Sequence, residues 1–413
     1  MFRKLLNLDE AKNKILECFS PKPHGIEEIP LLKTVDRVFA EDMASPINVP
    51  PFNRSTVDGY AVKAEDTFCA QEDSPARLKL IGCADVGEIS KLRVEKNSAI
   101  MIVTGAPLPR EADAVVMVEN TAEKDAEIFV YKPVAKGENV MALGSDICKG
   151  EVVVKCGHVA SSREIGVLAA LGIAKVKVFR QPKIAIISTG AEIVSPGKPL
   201  PPGKIYDINT YTLTVAVLES GGVPFRFGIV KDDDVDRLKI TLKKAIGMAD
   251  LVVTSGGVSV GPKDVLPKVL DELGKPGLVV HGVAVKPGKP VAVAVVDKKP
   301  VFALPGHPTS SLLMFHLLVR PILFKMLGKV DEPVATVEAT ITDKVFSARG
   351  RRTFITVTLS RDCENRLLAS PVPTGQSGAI TSLAKADGYV ELKENRQFME
   401  AGEEVTVFLF KSA

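Results

Sequence analysis

Carboxylates, lysines and hydroxyls set among glycines are the side chains here with the means to do chemistry. The densest such set is 249–264, ADLVVTSGGVSVGPKD. An apolar run at 251–253 stops abruptly in small residues. Gly256, Gly257 and Gly261 are then interleaved with Thr254, Ser255 and Ser259, and Asp264 opens a new periodic segment. Glycines let a backbone approach a ligand and turn its N–H groups inward. Hydroxyls add donors, and a helix start adds positive dipole. The spacing is neither that of a Walker loop nor G-x-G-x-x-G, so the stretch predicts an anionic ligand other than a nucleoside triphosphate. It equally fits a glycine-rich connector in which Asp264 is a helix N-cap.

Other sets share this character. Ser188-Thr189-Gly190-Ala191-Glu192 and Asp232-Asp233-Asp234 each follow an apolar run, as does Pro305-Gly306-His307-Pro308-Thr309-Ser310-Ser311. Lys286 and Lys289 flank a Pro-Gly turn and cannot drift far apart. As point charges they suit phosphate or another oxyanion, or else they decorate a solvated turn. Asp58 sits in VDGYAV, a turn signal leading into a strand, and Thr104 begins the proline-stiffened TGAPLP, which also reads as a β-turn. Arg351 belongs to the one dense basic cluster, RGRR at 349–352, which doubles as a charged surface loop. Ser377 lies in the polar loop PTGQSGAITS.

These residues need positioning elements. Helical spacing of Leu8, Ala11, Ile15 and Phe19 predicts a helix over 8–19. Residues 28–38 read as extended, and the proline-rich PINVPPFNRS marks a domain crossing. Short β-rich runs at 77–83, 99–103, 114–118 and 127–131 predict a small β domain, and a helix is expected at 161–171, closed by Gly172. From Lys183 strands alternate with helices. Strands are expected at 183–188, 225–230, 250–254, 278–283, 291–296 and 301–304, and helices at 210–220, 234–247, 264–273 and 309–327. That alternation predicts an α/β layer with a mainly parallel sheet and a ligand site off the carboxyl ends of its strands. Strands at 334–341, 353–359, 389–393 and 404–410 make the end of the chain β-rich again. The expected division is an N-terminal linker domain (1–48 with 147–181), an inserted β-rich domain (49–146), a three-layer α/β domain (182–328) and a C-terminal β domain (329–413).

Composition removes several function classes. The 413 residues are 46% hydrophobic, enough for several cores. A net charge of +3 without a polybasic run argues against nucleic acid. Six scattered cysteines with no C-x-x-C pair argue against a zinc site and suit reduced thiols in a cytoplasm. The first residues, MFRKLLNLDEAKNKILECF, are amphipathic and charged rather than a signal segment, and the apolar runs are too broken to span a bilayer.

In order along the chain, VDGYA, TGAPLP, STGAE, KIYDIN, TSGGVSVGPKD, KPGKP and LPGHPTSS resemble the MoeA family of molybdopterin molybdenumtransferases, which includes the gephyrin E domain. The resemblance covers about 8–410. It implies an enzyme that takes adenylylated molybdopterin and molybdate, inserts the metal between the dithiolene sulfurs and releases AMP, with a divalent cation, usually magnesium. It implies four domains, the α/β domain resembling molybdopterin adenylyltransferase. It also implies an elongated homodimer whose active cleft draws on both subunits, with transient contacts to the adenylyltransferase and to downstream cofactor-handling proteins.

Residue by residue, the resemblance carries catalytic roles to Asp58, Thr104, Glu192, Asp232 and Asp264, the last three as the magnesium site. It assigns substrate contacts to Asp146, Ser255, Gly256, Gly257, Ser259, Lys286, Lys289, Pro305, Pro308, Ser310, Arg351 and Ser377. Three positions depart from the family pattern. Ala191 stands where an aspartate is frequent, His307 replaces the asparagine of LPGNP, and Gly282 replaces a lysine found in some relatives. These bear on substrate affinity and on molybdate against tungstate. A molybdopterin adenylyltransferase and a non-catalytic cofactor-binding scaffold are the other functions the same residues could serve.

Overall fold

The computed structural model describes residues 5–231, 234–258, 265–330, 335–372 and 380–410. The first helix, Leu8–Cys18, begins at a reciprocal capping box: Glu10 N–H donates to Asn7 Oδ1 (2.8 Å) and Asn7 N–H to Glu10 Oε2 (2.9 Å). Its buried face is Leu8, Ala11 and Ile15. The expected extended run at 28–38 stops early. Ile26–Pro30 is a strand pairing antiparallel with Lys175–Phe179, and the chain then tightens into a 3-10 turn, Leu31–Lys33. The Thr34 hydroxyl and N–H both bond to Leu31 O, which competes with strand pairing. Leu31, Phe39, Val154, Leu168 and Val178 form one core from segments on either side of the inserted sheet.

The inserted sheet has six strands, in the order Ala114–Met117, Gly59–Val62, Ser98–Ile102, Ala76–Ala84, Glu127–Val130 and Thr121–Lys124. Gly59 is required here by close approach, not by a turn. A Cβ on it would lie 1.9 Å from Val116 O on the neighbouring strand.

The α/β sheet runs Val223–Val230, Lys183–Thr189, Leu251–Ser255, Lys299–Leu304, Ala292–Val296 and Pro276–His281. The first three pairings are parallel, as expected, and the last two antiparallel. The reversal has a local cause. Asp297 and Lys298, at φ 50° and 62°, make a two-residue hairpin between adjacent strands. Alternate residues serve opposite faces: Ile184, Ile186, Val253 and Phe302 enter one core, and Ala185, Ile187, Val252 and Val301 the other. Burial on both faces explains the unbroken apolar runs. Helices Asn209–Glu219, Val235–Met248 and Leu266–Glu272 cover the sheet close to their expected positions.

The expected helix at 309–327 is interrupted. Pro308–Met314 and Arg320–Leu327 are α-helical, and Phe315–Val319 between them is a π-turn. Pro321 has no N–H for the carbonyl one turn back, and the wider turn ahead of it absorbs that break. The run Pro308–Leu327 is also long and apolar enough to cross a membrane, with mean hydropathy 1.4, which the sequence reading did not find. It is a core helix here, 67% of that window being buried.

The C-terminal sheet contains Arg352–Arg361, Leu367–Pro371, Thr336–Ile341, Glu404–Leu409 and Gly388–Leu392. The strand Leu367–Pro371 lacks alternation and was not anticipated. Val285–Lys286 is this sheet's edge strand, parallel to Arg352–Thr353, so the lysine turn belongs to two domains at once.

Two measurements test this packing. Gly59→Ala should destabilise by about 1–3 kcal/mol through overpacking. Gly166→Ala, in a helix with open space at the Cβ position, should stabilise by ~0.5–1 kcal/mol. Urea midpoints read both. His316, buried between Phe315 and Phe410, has its pKa lowered to about 4, first by burial and then by Arg320. A depressed histidine favours the fold fully above its unfolded value and progressively less as pH falls toward the folded one. Stability should therefore drop between about pH 6.5 and 4, and His316→Phe should flatten that limb.

Candidate active site

Three adjacent parallel strands end together at Thr189, Ser255 and Leu304, with Ser188 opposite Ser255 and Ser255 opposite Leu304. A hydrogen-bonded network laces these ends. Asn209 Nδ2 donates to Ser255 Oγ and to Gly306 O, both at 2.7 Å. Ser255 Oγ donates to Pro305 O (3.1 Å), and Thr189 Oγ1 to Ser255 O (3.3 Å). Ser188 Oγ donates to Asp207 Oδ1 (3.0 Å) and lies 2.7 Å from Thr210 Oγ1, while Thr210 N–H also donates to Asp207 Oδ1. Gly256 sits at φ 98°, and a Cβ there would lie 2.3 Å from Thr189 O. Only glycine permits that approach.

The expected site residues divide into groups. Ser255, Gly256, Gly257, Pro305, Pro308 and Ser310 stand on this rim. Pro305 supplies a carbonyl acceptor, Pro308 begins the helix, and Ser310 is buried in its first turn. Glu192 is exposed, and its carboxylate folds back over Gly190, where a Cβ would be 2.9 Å from Glu192 Oε2. Asp232, Ser259, Asp264 and Ser377 lie outside the described residues.

Lys286 and Lys289 sit on a turn packed against the rim helix. Gly288, at φ 106°, faces the Met314 side chain, and a Cβ would lie 2.6 Å from its sulfur. Arg352 N–H donates to Ala284 O (3.0 Å), so neighbouring Arg351 is delivered beside the strand that carries Lys286. The lysine turn is thereby tied to the C-terminal sheet and packed on the helix that starts at the rim.

Asp58 and Thr104 form a close pair on the inserted domain. Thr104 donates to Asp58 Oδ1 from its N–H (2.7 Å) and its hydroxyl (2.8 Å). The N–H first and the hydroxyl second hold the Asp58 carboxyl below its ordinary value. Asp146 is apart from them, its N–H bonded to Val49 O. Among the described residues no hydrogen bond or ion pair joins Asp58, Thr104 or Asp146 to the α/β rim.

Sequence reasoning missed Asp207, Asn209 and Thr210 as members of the network. Their signal was the D-x-N-T spacing just ahead of a helix, where side chains tend to bond nearby backbone. Asn209 Oδ1 is buried without a hydrogen-bond partner. Its orientation is set, because Gly306 O can only accept and must face the Nδ2 group. The described rim donors are therefore oxygens: Glu192, Asp207, the Asn209 amide and the hydroxyls. That chemistry fits a hard divalent cation such as magnesium. Among the described residues, no group of three His, Cys, Asp or Glu side chains that could hold a metal ion is present.

Family models match nearly the whole chain: the MoeA N-terminal region (domain I and II) at 6–172, a probable molybdopterin binding domain at 185–325, and the MoeA C-terminal region (domain IV) at 338–410. The chain belongs to the MoeA family. A putative molybdopterin biosynthesis protein of Methanocaldococcus jannaschii is 36% identical over 422 residues, covering 100% of both chains. The molybdopterin molybdenumtransferase of Haemophilus influenzae is 34% identical, covering 98% of each. A crystal structure of a MoeA molybdopterin biosynthesis protein from Pyrococcus horikoshii superposes with TM-score 0.87 at 46% identity, over 99% of this chain and 100% of that one. The expected fold class, a MoeA-like assembly of an α/β domain with β-rich domains, holds for this MoeA-family chain.

Thr104→Val tests the acidic pair. Losing the hydroxyl should raise the Asp58 titration midpoint part of the way toward its ordinary value, since the stronger N–H bond remains. Asp58 favours the fold above its ordinary value and less as pH falls through the depressed one; the variant should lose that support at higher pH. Carboxyl carbon NMR shifts against pH measure both proteins.

Proposed function

We propose that this protein completes the molybdenum cofactor by taking adenylylated molybdopterin and molybdate, placing the metal between the dithiolene sulfurs and releasing AMP. The observation that carries this reading is the packing of the lysine turn, through Gly288, on Met314 of the helix Pro308–Met314, whose start adjoins the Ser255–Pro305 network. The relatives named molybdopterin molybdenumtransferase support it.

The chemistry follows from charge. Cleaving the phosphoanhydride spreads negative charge over phosphate oxygens as an oxygen nucleophile attacks the adenylyl phosphorus. Fixed cations and backbone N–H groups that stay in place through that change lower the barrier most. Gly256 lets the backbone close on the ligand, and the start of helix Pro308–Met314 adds positive dipole. The two lysines and Arg351 hold the oxyanion beside the phosphate and supply proximity. Glu192, with Asp232 and Asp264, would hold a magnesium ion, which when bound would add charge neutralisation. Asn209 Oδ1, an acceptor, suits a donor group of the pterin or ordered water, and it disfavours phosphate at its own position.

Among the described residues Asp58 and Thr104 make no hydrogen bond to the rim, which is compatible with an active cleft assembled from two subunits of a homodimer. Lys286→Ala should lower metal-dependent AMP release by about 10²–10³-fold. Chelation should abolish release, and added magnesium restore it. Mixing Asp58→Ala with Lys286→Ala protein should recover roughly a quarter of the wild-type rate if subunits exchange freely in a two-fold dimer. No recovery after demonstrated exchange rejects the shared cleft, and metal-independent AMP release rejects the magnesium assignment.

A further inference from the structure

The lysine turn is clamped from two sides by segments far away in sequence, and the clamp closes on itself. Ala284, just before Val285–Lys286, uses both of its backbone groups. Its N–H donates to Leu6 O (2.7 Å), and its carbonyl accepts from Arg352 N–H (3.0 Å). Leu6 N–H also reaches Gly282 O (3.5 Å). Leu6 lies just ahead of helix Leu8–Cys18, and Arg352 opens the first long strand of the C-terminal sheet.

The same two segments are tied again through side chains. The Arg352 guanidinium donates twice to Asp9, Nη2 to Oδ2 at 2.7 Å and Nη1 to Oδ1 at 3.4 Å. Its Nε donates to Glu394 Oε1 at 3.0 Å and lies 3.4 Å from Glu391 Oε1. The path Leu6–Ala284–Arg352–Asp9 and back along the helix start is a closed ring of backbone and side-chain bonds.

We propose that Arg352, oriented by Asp9 and Glu394, is a positioning residue that sets the lysine turn and so tunes affinity for the oxyanion. This deepens the reading of the lysine turn as the molybdate subsite and rests on it. A fork-to-carboxylate pair fixes direction as well as distance. Asp9 is 63% exposed, so the pair adds little to global stability. Its consequence is the register of Val285–Lys286 against Arg352–Thr353, which places Lys286 and Arg351 relative to one another. Small displacements of such groups are costly to function. Lys12, one turn along the helix, belongs to the same cluster: burial foremost lowers its pKa, Asp9 and Glu391 oppose that, and Arg352 adds to it.

The test is steady-state AMP release as molybdate is varied, using the full chain with adenylylated molybdopterin and magnesium. Asp9→Asn and Arg352→Gln should each raise the molybdate KM by about 3–10-fold, with kcat at saturation within about twofold of wild type. The double variant should be no worse than the worse single one, as expected of partners in one contact. Arg352→Lys, which keeps the charge and loses the fork, should fall between wild type and Arg352→Gln. Lys239→Ala, which breaks the remote Lys239–Glu272 pair, should leave KM unchanged. Thermal midpoints of all variants close to wild type accompany the expected result. Unchanged KM in Asp9→Asn and Arg352→Gln, additive effects in the double variant, or loss of kcat in step with the melting temperature would overturn the proposal. Wild-type AMP release with no saturable dependence on molybdate would instead reject the functional reading, and this inference with it.

Discussion

One continuous apolar core fixes the spatial relation of the parts that carry the site. Leu8, Ala11 and Ile15 of the first helix, Ile184 and Val253 of the sheet, Val283 and Val285 before the lysine turn, Leu313, Met314, Phe315 and Leu317 of the interrupted helix, and Phe354 and Tyr389 of the C-terminal sheet all belong to it. Burial at about 25 cal/mol per Å² makes such a core the dominant favourable term, and its close packing resists relative sliding. The start of the chain, the α/β layer and the C-terminal sheet are thereby one mechanical unit around the lysine turn.

The polar network lies where the parallel strands stop. Within the sheet the four central strands are covered on both faces and paired with a neighbour on each side. At the carboxyl ends that pairing runs out, and carbonyls of Ser255, Pro305 and Gly306 are taken up by hydroxyls and by the Asn209 amide. The small residues that end each apolar run serve this purpose, because larger side chains would fill the mouth they surround. Asn209 is the economical element: one amide ties two strand ends and leaves one acceptor over.

The inserted β domain is a different kind of body. Its two cores, one around Leu78 and Ile128 and the other around Ile100 and Ile102, contain no residue of the α/β layer. Asp58 and Thr104 are set by strand packing inside that domain alone, and Gly59 is held to glycine by the neighbouring carbonyl.

Much of this was legible in the residues. Periodicity placed the α/β strands and helices within a few residues, because two-face burial writes itself as unbroken apolar runs. The rim was legible too, since glycines, hydroxyls and carboxylates follow those runs. Other features depended on contacts distant in sequence. Asp207 and Asn209 stood only within the motif KIYDIN, and only the meeting of the strand ends gives Asn209 its two acceptors. The Gly59 signal suggested a turn, whereas the constraint is Val116 O across the sheet. Arg351 and Arg352 read as one basic surface loop. Tertiary structure separates them, placing Arg351 beside the lysine strand and turning Arg352 toward Asp9. Local sequence determined which groups were available and on which elements, because propensity and periodicity act over a few residues. Tertiary structure decided which of them meet, because hydrogen-bond partners and shared cores are chosen by packing between segments hundreds of residues apart.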